Sequence, residues 1–113
     1  MINLPVNEAE AFDYLSILQV KLDRGLPVDA RYSEVALALD STDGIDIEQV
    51  LASYEYNLLY GANALCFDAI ERAHRDEISA RAVQRLNHDR YLAKRALQAR
   101  FWPTSPLTER KTL

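Results

Sequence analysis

Glycine and proline, the residues that most often end helices and build turns, number only three and four in this chain. That scarcity argues against an all-β fold, which needs frequent tight turns. A single cysteine, Cys66, cannot close an internal disulfide, so nothing ties the chain to an oxidising compartment. No apolar run approaches the roughly 18 residues of a membrane span. The opening Met1 to Glu10 is acidic where a secretory leader is basic and then apolar, so the expected location is cytoplasmic, with no membrane partner. Gly-rich phosphate loops and nucleophile elbows are also missing, as are internal repeats and low-complexity tracts.

Positive charge is scarce in the first part of the chain and concentrated in the last. Residues 1–71 hold three Lys/Arg against thirteen Asp/Glu, a balance of −10, whereas residues 72–113 hold ten against four, a balance of +6. The net charge of −4 hides this division. Such a polarity lets a basic C-terminal helix lie against an acidic partner surface, within one molecule or across a dimer. At 113 residues, with 49% hydrophobic and 27% charged residues, the chain has the size and composition of a single globular domain, 1–113.

Apolar spacing is helical nearly throughout and predicts an all-α helical bundle. Ala11, Leu15, Leu18 and Leu22 mark an N-terminal helix over about 8–24, with Asn7 at its N-cap and Gly25 just past its end. Asp29 caps a short connecting helix over about 30–39 that buries Tyr32, Val35 and Leu39. A long helix over about 46–75 places Ile47, Leu51, Tyr54, Leu58, Ala62, Leu65, Ala69 and Ala73 on one stripe, while Tyr56, Tyr60 and Phe67 lie on its back. A small monomer supplies little cover for a helix apolar on so many sides. The expectation is therefore a central helix or a self-association surface, most simply a symmetric homodimer. Gly61, which costs about 1 kcal/mol relative to Ala inside a helix, is read as a place where another helix approaches closely. A second long helix over about 78–101 has Val83, Leu86, Ala93, Leu97 and Phe101 on one face and Arg81, Arg85, His88 and Arg95 on the other. Pro103 and Pro106 stop it, and 103–113 reads as an extended tail.

Polar residues interrupt the apolar stripe of that last helix. At about 100° per residue, Arg90 falls in its middle, with Asn87 and Lys94 beside it. A buried cation needs a carboxylate partner, and Glu10, Asp13 and Lys21 share one edge of the first helix. The expected bridge runs from Asp13 or Glu10 to Arg90 or Lys94. With Asn63, these residues form either a buried polar network that holds helix register or a site between helices that binds, or acts as an enzyme on, a small anionic ligand, a carboxylate or phosphate.

Leu4-Pro5-Val6 followed by Glu10-Ala11-Phe12-Asp13-Tyr14-Leu15-Ser16-Ile17-Leu18-Gln19-Val20-Lys21 resembles the opening signature of a family of short, uncharacterised helical proteins of bacteria and phages. That signature is a Pro-Val start, Gly-Glu, two apolar residues, Asp-Lys, an apolar residue, Thr/Ser-Ile-Leu and Glu-Ile-Lys. Asn63, Leu65, Phe67 and Glu71 are similar to the family's Asn, Leu-Trp and acidic middle segment. Asn87, Arg90 and Lys94 are similar to its Asn-Asp-x-Arg and Leu-Lys segment, and Glu109 with Lys111 to a C-terminal Glu-Glu-Lys. Here Ala9 stands for the glycine, Tyr14 for the lysine and Cys66-Phe67 for Leu-Trp. The resemblance implies an all-helical fold, this domain of unknown function, and no particular activity.

Glu71 and His74 make a single Glu-x-x-His. A di-iron bundle needs two such motifs and two further Glu, so no metal and no cofactor is expected. The outward arginines of the last helix suit a modest phosphate stripe, but an acidic pI of about 5.1 weighs against nucleic acid. The expectation is a small non-enzymatic interaction or accessory protein that self-associates through its middle helix or meets a protein partner.

Overall fold

The computed structural model describes residues 7–104, and among them every regular element is helical. The elements are α1 (Glu8–Asp23), α2 (Asp29–Asp40), α3 (Ile47–Leu51), α4 (Tyr54–His74) and α5 (Ala80–Phe101). The fold is an all-α bundle, as the spacing predicts. The expected C-terminal tail falls, from residue 105 on, outside the described residues, as do Pro5, Val6, Glu109 and Lys111.

The expected long helix over 46–75 is two helices. Asp46 caps α3 by accepting from the Gln49 amide at 3.2 Å. Ser53 then takes an extended backbone and caps α4 by accepting from the Tyr56 amide at 3.0 Å. Its hydroxyl also donates to the Val50 carbonyl at 2.6 Å, so one side chain closes α3 and opens α4. Similarly, α5 starts two residues later than expected because Ser79 caps it, accepting from the Ala82 amide at 3.2 Å. Asp29 lies inside the first turn of α2, whose N-cap is Val28. At the end of α1 the chain turns at Gly25, φ +80°, with Leu26 N–H donating to the Lys21 carbonyl and Gly25 N–H to that of Leu22, both at 2.9 Å. Asp76, φ 57°, makes the corresponding turn between α4 and α5.

The central helix is α1, which packs against α2, α4 and α5. Ala9, Phe12, Leu15 and Leu18 are buried along it, and Val20 with them. Phe12 meets Tyr56 edge-on at 6.1 Å and stacks on Trp102 at 5.7 Å. The Trp102 indole donates to the Gly44 carbonyl at 3.3 Å, tying the end of α5 to the α2–α3 loop. Leu39, Val50, Leu59 and Leu97 complete this core.

On α4 the expected stripe is only partly covered, Ala69 being buried, and most of the buried side lies on its back. Tyr56, Leu59, Asn63 and Ala69 face inward, whereas Tyr54, Leu58 and Leu65 are exposed. α1 supplies buried apolar residues on most of its circumference and so occupies the centre; among the described residues α4 has one side covered and one exposed.

Candidate functional site

Asp13 of α1, Asn63 of α4 and Arg90 of α5 meet where the three helices pack. Arg90 Nε donates to Asp13 Oδ1 at 3.2 Å and Nη2 to Oδ2 at 2.6 Å, a two-point grip on the carboxylate. Asn63 Nδ2 donates to Asp13 Oδ1 at 2.8 Å and to Ser16 Oγ at 2.6 Å. Ser16 Oγ donates in turn to the Asp13 carbonyl at 2.8 Å. The Asp13 side chain is 7% exposed and that of Arg90 31%. Burial works to lower the Arg90 pKa, but the bonds and charge of Asp13 outweigh it and hold the guanidinium above its ordinary value. Every buried side-chain nitrogen and oxygen among the described residues has a hydrogen-bond partner.

The expected bridge therefore forms between Asp13 and Arg90, with Asn63 completing it. Asn87 is exposed and its amide oxygen accepts a weak contact from Cys66 Sγ at 3.8 Å. Glu10, Lys21 and Lys94 are half-buried, and their side chains join no hydrogen bond or ion pair among the described residues. Two buried polar residues escaped the sequence reading, Ser16 within the cluster and Gln98 beside it. Ser16 lies one turn from Asp13, and Gln98 one turn from Lys94 on the same polar row. Gln98 accepts from the Ala9 amide and donates to Glu8 Oε1, both at 2.9 Å, and so caps the start of α1 from α5. Its spacing after Asn87, Arg90 and Lys94 was the available signal.

The Ser16 proton points at a carbonyl, and burial pushes the Cys66 thiol up against the opposing pull of Arg90. Glu71 and His74 are exposed, and no group of three or more His, Cys, Asp or Glu among the described residues is arranged to hold a metal. No helix among them is long and apolar enough to cross a membrane.

The second feature is a groove of about 660 Å³ between α4 and α5. Leu58, Gly61, Ala62 and Leu65 line one side, and Leu86, Leu92, Ala93 and Ala96 the other. Leu58, Leu65 and Leu92 are 44%, 58% and 47% exposed. Asn57 and Asp89 are the polar residues on its walls. Among the described residues, nothing approaches Gly61 where a Cβ would project.

No protein-family model matches this chain, and neither a curated protein nor a solved structure matches it.

Proposed function

We propose that this chain is a small, non-enzymatic helical interaction protein that works by self-association through the open face of α4 and its neighbour α5. The groove carries the reading. Three leucines at its rim leave a contiguous apolar strip exposed between α4 and α5. Burying a leucine contributes about 1.5–3 kcal/mol, so covering this strip is a substantial driving force. The spacing 58, 61, 62, 65 is that of a helix face that packs against another helix. The motif likeness to the family of short helical proteins belongs to the same proposal and adds no activity to it. The other reading, a small anion held at Arg90, would require that anion to compete with the two-point grip of Asp13.

Light scattering over a range of concentrations tests this. The expected result is a dimer that Leu65→Glu converts to a monomer of unchanged helicity. A wild-type chain that stays monomeric at high concentration would overturn it.

A further inference from the structure

We infer that the groove's occupant is a second copy of this chain in antiparallel two-fold register, with α4 crossing the partner's α4 at Gly61 and Ala62. This rests on the self-association proposed above and adds its geometry. Gly61 weakens α4 by about 1 kcal/mol relative to Ala, and among the described residues no contact explains it, since the space beside it is open. A glycine followed by alanine, flanked by Leu58 and Leu65, is a self-complementary surface. An axis between Gly61 and Ala62 sets Leu58 of one copy against the partner's Leu65, and the small pair lets the two backbones come close.

Two face-to-face arrangements of the α4–α5 hairpin obey two-fold symmetry. In one, like ends of the hairpin meet and α4 lies over α5 of the other copy. In the other, opposite ends meet and α4 lies over α4. Charge selects the second. The apolar rows of the groove end, near the α4–α5 turn, in two arginines. Arg72 follows Leu65 by seven residues and Arg85 precedes Leu92 by seven. Both are exposed and neither joins an ion pair among the described residues. Meeting like end to like end would gather four unpaired arginines at one edge. At the opposite end Glu55 precedes Ala62 by seven residues, with Arg100 at 3.9 Å, and the exposed Asp46 and Glu48 of α3 lie beyond. The antiparallel register carries Arg72 about one turn beyond the level of the partner's Glu55, at the acidic end of the partner's groove and away from the partner's own Arg72 and Arg85.

Single-cysteine variants of the full chain in a Cys66→Ser background test the register by mild oxidation, with light scattering alongside. Gly61→Cys and Ala62→Cys each flank the axis and are expected to link to themselves. Leu58→Cys and Leu65→Cys lie about 10 Å from their own symmetry mates along the helix, too far for a disulfide. Neither is expected to link alone, whereas a mixture of the two is expected to form the mixed dimer. A dimer in which neither Gly61→Cys nor Ala62→Cys links would overturn the register and leave self-association standing. A monomer would overturn both and assign the groove to the chain's own terminus or a different protein.

Discussion

Arg90 and Lys94 lie one turn apart on α5, yet among the described residues the first has a partner and the second has none. Removing one member of a buried ion pair costs about 3–5 kcal/mol, and the partial exposure of Arg90 reduces that. Arg90→Ala is therefore expected to destabilise the fold by about 2–3 kcal/mol in denaturant titration, because it strands the Asp13 carboxylate. Lys94→Ala is expected to stay within about 0.5 kcal/mol of wild type. Similar losses for the two would show that the bridge is not what holds α1 to α5. Tyr56 gives a pH test. Burial, with smaller contributions from Tyr32, Tyr60 and Asp13, raises its phenol above the ordinary 10.0. The folded state favours the neutral form, so this stability is complete below pH 10 and is lost as pH rises beyond, where the unfolded chain releases its proton first. Melting temperature is expected to fall less steeply above pH 10 in Tyr56→Phe than in wild type. Equal slopes would remove the phenol as the cause.

Among the elements, the break between α3 and α4 depends on one hydroxyl. Ser53→Ala removes the cap of α4 and the bond that closes α3, and is expected to cost about 1 kcal/mol by thermal melting. A neutral substitution would mean that packing alone sets the break. Apolar periodicity located the helices well because each repeats its pattern over several turns. It could not see this break, since the stripe continues from Leu51 through Tyr54 to Leu58 without a change of phase, and Ser53 acts through a local bond. It also could not say which side of α4 turns inward. Tyr56, Tyr60 and Phe67 on one side and Leu58, Ala62 and Leu65 on the other are similarly apolar, and only the packing of α1 decides between them.

For the whole molecule, the division of charge reappears as position. α1 carries the carboxylate that α5 must meet, and the unpaired arginines of α4 and α5 remain outside, at one end of the groove. The Asp13–Arg90 bridge was legible because a guanidinium in an apolar stripe demands an anion, and α1 had few to offer. Ser16 and Gln98 were less so, since short polar side chains are ordinary on helix surfaces and acquire meaning only when another helix arrives. Glu10, Lys21 and Lys94 shared the edge of the cluster by helical phase but stand outside its hydrogen bonds. Phase fixes direction around an axis, not the axial level at which two helices touch. The amino-acid order alone determined that this chain is helical, where most of its helices run and that a cation must be neutralised inside it, because these follow from local periodicity and the cost of burying charge. Which helix takes the centre, which face of α4 remains bare and which acid meets Arg90 were decided only by tertiary packing, because those outcomes depend on how several apolar faces compete to be covered.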